Sequence, residues 1–276
     1  MVRVGLVGCG TIGSRLALAL QREHAQVARL VALHDSDRRQ AQALARRLRP
    51  APALVSLPAL IRQSQLVIEA ASVEAAGDVV RRALRARRDV FVMSVGALLR
   101  DQAWRRLARA SGRTVYIPSG ALAGLDGVKA MAVGRIRRVA LTTRKPPAAL
   151  AAAPFVRRRR LRLQRLTRPR LLFQGTPGAV VRAFPQNTNV AAALVLALQA
   201  GGGRAGAAAG ARARIRVIAD PTIRRNVHEL DVEGDCGRLR CRVESRPSAN
   251  PKTSELAVRS AVAALRGVFD RVALGT

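Results

Sequence analysis

Three glycines near the start of the chain, Gly8, Gly10 and Gly13, stand in the spacing G-x-G-x-x-G. An apolar stretch, residues 2–7, precedes them, and a helix-patterned one, residues 14–22, follows at once. In that setting each glycine has a physical task. Gly8 permits a tight turn out of a strand, Gly10 lets backbone approach a pyrophosphate, and Gly13 lets a helix pack close to the strand. The turn, with Thr11 and Ile12 inside it, reads as a dinucleotide cradle. Further on, a second predicted strand at 29–33 ends near Asp35, whose carboxylate can accept hydrogen bonds from an adenosine ribose. Arg38 and Arg39 beside it could instead receive a 2′-phosphate. The cofactor expected is therefore NAD or NADP, with Asp35 favouring NAD.

Proton chemistry points elsewhere in the chain. There are three histidines. His24 and His34 fall at ordinary helix and strand ends and read as structural. His228 lies on a predicted strand, 227–233, expected to face a cleft, with Asn226 and Glu229 beside it. A lone strand histidine is more often a satisfied structural residue. The dinucleotide turn and the polar neighbours favour a general base, since imidazole exchanges protons near neutrality. Lysine is also informative, because Arg has replaced it almost everywhere. Only Lys129, Lys145 and Lys252 remain. An ammonium is a compact point charge that a guanidinium does not mimic. Lys145, Lys252 and the amides near Thr253 are candidates for binding an anion, and Asn226 for a polar substrate group. No metal-ligand spacing is present among Cys9, Cys236 and Cys241, and no disulfide framework.

These residues need elements to hold them. Strand and helix patterns alternate through the first part of the chain: strands at 2–7, 29–33, 66–69, 89–93 and 114–117, helices at 36–48 and 73–85, and one containing Trp104. That alternation predicts an α/β fold, an N-terminal doubly wound (Rossmann) parallel sheet over residues 1–120. Ligands in such sheets bind outside the carboxyl ends of the strands. Residues 70–72, 94–97 and 119–121 are small there and leave room for a ribose and a ring. The pattern then shifts to half-buried strands at 136–143, 170–173, 215–219, 227–233 and 239–244, with a helix at 188–198. This predicts a second α+β domain, residues 121–249, with a mostly antiparallel sheet that carries the substrate and the catalytic residue. Residues 154–170 read as an irregular, solvated Arg-rich excursion, and 201–210 as a mobile Gly/Ala linker. A last helix at 253–265, within the 250–276 segment, is expected to return to the first domain.

Composition sets bounds. Formal net charge is +32, from 49 Lys and Arg against 17 Asp and Glu. The basic residues are scattered over helix faces and aromatics are only 3%, so a specific nucleic-acid reader is not indicated. Nonspecific adhesion to polyanions at low salt is expected. No run is read as long and apolar enough to span a bilayer, and the chain opens on a strand rather than a leader. Cysteine usage fits a reducing cytoplasm. A homodimer is the default assembly.

The chain resembles the L-aspartate dehydrogenases of NAD biosynthesis nearly end to end. The resemblance rests on Gly-Cys-Gly-Thr-Ile-Gly (8–13), Ser-Val-Gly-Ala-Leu (94–98), Ser-Gly-Ala-Leu-Ala-Gly-Leu-Asp (119–126) and Thr-Thr-Arg-Lys-Pro-Pro (142–147). It continues through Pro-Gln-Asn-Thr-Asn-Val-Ala-Ala (185–192), Ile-Ala-Asp-Pro (218–221), Asn-Val-His-Glu (226–229) and Asn-Pro-Lys-Thr-Ser (250–254). It implies that His228 is catalytic and that Ala121 and Asn189 contact NAD. The implied reaction is oxidation of L-aspartate to iminoaspartate with NAD(P)+. The product would pass to NAD biosynthesis or be hydrolysed to oxaloacetate and ammonia. The sequence departs from the family at 150–170 and 200–210. Three other readings stay open: a two-domain dehydrogenase of the dihydrodipicolinate or homoserine type, a non-catalytic basic nucleic-acid-binding protein, and a dinucleotide-gated sensor.

Overall fold

The computed structural model describes residues 1–185, 189–248 and 253–272. Two compact units emerge: Met1–Pro118 together with residues 258–272, and Ser119–Ala257.

The first unit alternates β1 (Val2–Val7), α1 (Thr11–Glu23), β2 (Ala28–His34), α2 (Arg38–Ala45), β3 (Ala53–Leu54), α3 (Leu57–Gln63), β4 (Leu66–Glu69), α4 (Val73–Arg85), β5 (Asp89–Val92), α5 (Ala97–Arg100), α6 (Ala103–Ser111) and β6 (Val115–Tyr116). The strands form one parallel sheet in the order β3-β2-β1-β4-β5-β6. Order reverses beside β1, which makes its carboxyl end the crevice where such sheets take ligands. Central strands are buried on both faces: every residue of β4 is buried, and Val4, Leu6, Leu16, Leu33 and Phe91 fill the core. Helix α4 shows why these sequences are helical. Its Ser72 N-cap accepts from the Ala75 N–H, Glu74 lies in its first turn, and Val73, Ala76, Val80 and Leu84 recur on the buried stripe.

The second unit contains α7 (Leu125–Val133), β7 (Ile136–Lys145), α8 (Pro147–Leu150), α9 (Pro154–Arg158), β8 (Arg170–Gly175), α10 (Pro177–Ala183), α11 (Asn189–Arg212), β9 (Arg214–Ala219), β10 (Asn226–Gly234) and β11 (Gly237–Ser245). Its sheet runs β11-β10-β7-β9-β8, antiparallel except for the β7–β9 pair. Strict alternation sorts its two faces. On β7, Val139, Leu141, Thr143 and Lys145 are buried while Arg138, Ala140, Thr142 and Arg144 are more exposed. On the exposed side Asp231 pairs with Arg238 at 2.6 Å and Glu229 with Arg242 at 2.6 Å.

Three expectations from the sequence do not hold in the structure. Residues 201–210 are helical and are part of α11. That element breaks at Gly203 (φ 53°, ψ −124°), and its second segment folds back on the first. A Cβ on Gly206 would lie 1.9 Å from the Leu198 carbonyl oxygen, and one on Gly210 would lie 3.2 Å from Val195. Gly201 and Gly202 meet the backbone of α7 just as closely, 2.0 Å from Lys129 O and 2.3 Å from Ala132 O. The glycines are there for contact between helices, not for slack. Residues 154–170 likewise include α9 and a 3₁₀ turn at Leu163–Arg165. Val156 and Leu163 are buried, and Phe155 stacks among Phe173 and Phe184. The expectation that no run is long and apolar enough to span a bilayer also fails at α11, which passes by length and composition. It turns back at Gly203, and its Val190–Leu198 stretch lies in the second core.

The final helix, α12 (Glu255–Phe269), contributes Ala261 and Leu265 to the first core, and its Arg266 pairs with Glu23 at 2.6 Å.

Candidate active site

In the first unit the chain leaves β1 at Gly8 with φ of 92°. A Cβ there would lie 2.5 Å from the backbone of Ala70 and Ala71. At Gly13 a Cβ would stand 1.9 Å from the Gly8 carbonyl oxygen, so α1 rests directly on the turn. Gly10 is different. The nearest atom to an added Cβ is Gln40 Oε1 at 3.7 Å, so its backbone faces open space. Gly10 is also the N-cap of α1, and no side chain caps that helix. The first amides of α1, at Thr11, Ile12 and Gly13, are thus available to an anion. Asp35 lines the same crevice of about 420 Å³ with Gly8, Gly10 and Ser36. Its carboxylate accepts from the Cys9 N–H at 2.6 Å and the Asp37 N–H at 2.8 Å. Open backbone at Gly10, an uncapped helix start and a fixed acid fit a dinucleotide. The Cys9 thiol is pushed up to about 12 by burial and by Asp35, which excludes it as a nucleophile at neutral pH.

In the second unit, β7 and β10 place a polar cluster on the buried face of the sheet. His228 sits opposite Thr143 in the register, and Thr143 Oγ1 is 3.1 Å from His228 Nδ1. Two residues along β10, and so on the same face, lies Asn226. It is 1% exposed, and neither its amide nitrogen nor its amide oxygen has a hydrogen-bond partner among the described residues. Lys145, 4% exposed, ends β7. Its ammonium is lowered to about 8 by burial. Burial, and then the charge of Lys145, pull His228 down to about 3, so its ring is neutral at physiological pH. The Asp220 N–H donates to the Lys145 carbonyl at 2.9 Å, and the Asp220 carboxylate accepts from the Thr222 N–H and hydroxyl. A buried ammonium, a neutral imidazole and an unsatisfied amide together can hold a carboxylate and take a proton.

The family model described as "Aspartate dehydrogenase, C-terminal" matches residues 126–268. A curated relative from Methanosarcina barkeri, "L-aspartate dehydrogenase", is 42% identical over the full length of both chains. The chain belongs to the L-aspartate dehydrogenase family. "L-aspartate dehydrogenase 3" of Bordetella bronchiseptica is 39% identical over 99% of this chain and 97% of that one. Residues 8–118 match the model "Homoserine dehydrogenase, NAD binding domain". In fold, the aspartate dehydrogenase from Thermotoga maritima superposes with a TM-score of 0.71 at 21% identity, covering all of both chains. GenD2 from gentamicin A biosynthesis, solved in complex with NAD, superposes at 0.57 with 15% identity, over 100% of this chain and 88% of that one. As a member of this family the chain is an oxidoreductase with a nicotinamide-cofactor domain.

The structure gathers His228, Asn226 and Lys145 into one cluster, and Gly8, Gly10, Thr11, Ile12, Gly13 and Asp35 around one turn. Asn189 is the exposed first residue of α11, and Ala121 is buried in the second core. Thr253 bonds Ser248, hydroxyl to hydroxyl at 2.5 Å, and stands apart from the strand cluster in sequence. Lys252 lies outside the described residues. Lys129 has a surface role, pairing with Asp126 one helical turn away at 3.0 Å. Thr143, in hydrogen-bond range of His228, was not singled out in the sequence. The signal for Thr143 was present: it stands two residues before Lys145 on the same strand face.

Proposed function

We propose that this aspartate dehydrogenase family member oxidises L-aspartate to iminoaspartate with NAD(P)+, NAD being preferred. The buried Asn226 amide beside His228, which has no hydrogen-bond partner among the described residues, carries this reading. A polar group so placed costs about 1–3 kcal/mol unless something hydrogen-bonds it, and a carboxylate or amine of the substrate would do so. Lys145 supplies the positive charge that a dicarboxylate needs. His228 accepts the proton that the substrate ammonium must shed before a C=N bond can form. Its low basicity without ligand is consistent with that task, because a substrate carboxylate placed close by raises it. Gly8, Gly10 and Gly13, the amides of Thr11 and Ile12, and Asp35 would hold the cofactor, with Asn189 and Ala121 as further contacts. A nicotinamide held there would supply the acceptor for the hydride of the substrate α-carbon.

Asp35 supports NAD, since its carboxylate suits a ribose hydroxyl and repels a 2′-phosphate. The same reading assigns the iminoaspartate to NAD biosynthesis, or to hydrolysis into oxaloacetate and ammonia. It also takes the enzyme as a cytoplasmic homodimer without a specific nucleic-acid or membrane partner. Thr253 and Lys252 stay candidates for the second carboxylate. The deciding experiment follows reduction of NAD+ and NADP+ spectrophotometrically at alkaline pH with L-aspartate or L-homoserine. Aspartate-dependent reduction supports the reading. Turnover of homoserine with none of aspartate overturns it.

A further inference from the structure

At the carboxyl end of β4, Glu69 is fully buried and both of its carboxylate oxygens accept hydrogen bonds. Its Oε1 accepts from the Ala71 N–H and from the Ser94 hydroxyl, each at 2.9 Å. Its Oε2 accepts from the Ser94 N–H at 2.9 Å. Burial raises this carboxyl's pKa, while these donors and the Met93 amide pull it back down. A carboxyl group in the middle of a parallel sheet is an expensive way to fill space, where Val or Leu would serve the core better. Its position explains it. The Ala71 peptide that it grips is the one against which Gly8 turns, at a separation that excludes any Cβ. Ala70, Ala71 and Ser72 line the crevice that Gly8, Gly10 and Asp35 also line. Ser94 belongs to the next loop, after β5. One carboxylate therefore ties together two strand-end loops and, through the 70–71 peptide, the glycine turn.

We infer that Glu69 is a positioning residue for the dinucleotide: its carboxylate fixes the loop at residues 70–72 against the glycine turn and so sets the shape of the cofactor crevice. It touches no substrate and acts through Ala71 and Ser94. Glutamate is required in place of glutamine. An amide offers one acceptor oxygen and turns an NH₂ toward an N–H or hydroxyl donor that then loses its bond. The inference rests on the first unit binding a nicotinamide dinucleotide, and not on aspartate being the substrate.

The test is NADH affinity, measured by fluorescence in the absence of substrate, for wild type, Glu69→Gln and Ser94→Ala. Glu69→Gln is expected to weaken NADH about tenfold, the scale of a lost charge-assisted hydrogen bond. Ser94→Ala, which removes one of the bonds and leaves the carboxylate, is expected to weaken it by a smaller factor in the same direction. The double variant should be no weaker than Glu69→Gln alone, because both act through one clamp. In turnover, KM for the cofactor rises while KM for aspartate holds. A purely structural role lowers the melting temperature and leaves the NADH dissociation constant of the folded protein unchanged, which overturns the inference. If Glu69→Gln does not fold, an unaltered NADH affinity in Ser94→Ala overturns it equally. Wild-type protein that binds neither NADH nor NADPH removes the cofactor reading itself, a result distinct from either.

Discussion

Thr143 Oγ1 and His228 Nδ1 are 3.1 Å apart, and both side chains lie on the buried face of the second unit's sheet. The contact fixes the imidazole. When the hydroxyl accepts from Nδ1–H, the Nε2 lone pair is left to accept a proton. Replacing His228 with Ala should lower kcat by roughly a hundredfold or more, the usual scale for a general acid–base group, and leave NADH affinity intact. Thr143→Val keeps the β-branched shape the strand wants and removes the hydroxyl. It should cost about tenfold in kcat, with Thr143→Ser restoring most of it. With only three histidines, ¹⁵N shifts of the ring nitrogens can read the tautomer directly. A Thr143→Val enzyme with wild-type kcat and an unchanged tautomer would remove Thr143 from the mechanism.

The same burial makes His228 a source of acid lability. The folded chain keeps it neutral down to about pH 3, whereas the unfolded chain protonates it near its ordinary value of 6.5. In that interval the unfolded state binds the extra proton, so stability falls as pH drops from 6.5 toward 3. Carboxylates titrate there too, so the informative quantity is a difference. The melting temperature of wild type should fall further than that of His228→Gln as the pH is lowered from 7 to about 4.5, because the variant has no imidazole to charge. Parallel curves would place His228 in a far wetter setting.

Lys145 predicts the opposite limb. Its ammonium, lowered to about 8 by burial, is lost as the pH rises past that value. A dicarboxylate without an amine, such as succinate, isolates its effect from the ionisation of aspartate. Succinate binding to the NADH complex should weaken above pH ~8, by up to about tenfold per unit. Lys145→Gln should bind it weakly at every pH. A flat wild-type profile from pH 7 to 10 would show that Lys145 does not hold the carboxylate.

Cofactor choice tests Asp35. Its carboxylate is pinned by the Cys9 and Asp37 amides, so it cannot swing away from a phosphate. Asp35→Ser should therefore lower the NAD/NADP preference by about tenfold or more through relief of that repulsion. The kcat/KM ratio for the two cofactors is the measurement. An unaltered ratio assigns the choice to other residues.

The strands were legible because burial is patterned along them, on one face in the second sheet and on both in the centre of the first. The period-two pattern of 136–143 gives β7 to within two residues, and the apolar run at 66–69 gives β4 outright. β3 was missed, because Ala53–Leu54 is too short to show any period. At 201–210, glycine and alanine read as slack, although Gly201, Gly202 and Gly206 are glycines because backbone oxygens lie about 2 Å from where a Cβ would stand. Periodicity carries no information about such approaches. The site divides in the same way. His228 and the glycine turn are visible from residue type and spacing. The Thr143–His228 and Glu69–Ser94 pairs span 85 and 25 residues, and only strand register brings them together.

The glycine turn itself offers a test that separates binding from folding, because two of its glycines do different things. A methyl on Gly13 would sit 1.9 Å from the Gly8 carbonyl oxygen, so backbone must move to admit it. Gly13→Ala should therefore destabilise the first unit by about 1–3 kcal/mol, as overpacking does, and lower the melting temperature. A methyl on Gly10 meets nothing closer than Gln40 Oε1 at 3.7 Å, and the φ of −69° there suits any residue. Gly10→Ala should leave the melting temperature within a degree or so of wild type, since surface changes of this kind fall within about 0.5 kcal/mol. The same methyl points into the space through which a pyrophosphate would reach the start of α1. NADH affinity of Gly10→Ala should accordingly fall by about tenfold or more, by the steric exclusion that the second glycine of this turn exists to avoid. Calorimetry and NADH titration on the two variants give four numbers. The pattern required is stability lost at position 13 and affinity lost at position 10. A Gly10→Ala protein that binds NADH as wild type does would mean that the dinucleotide does not cross this backbone.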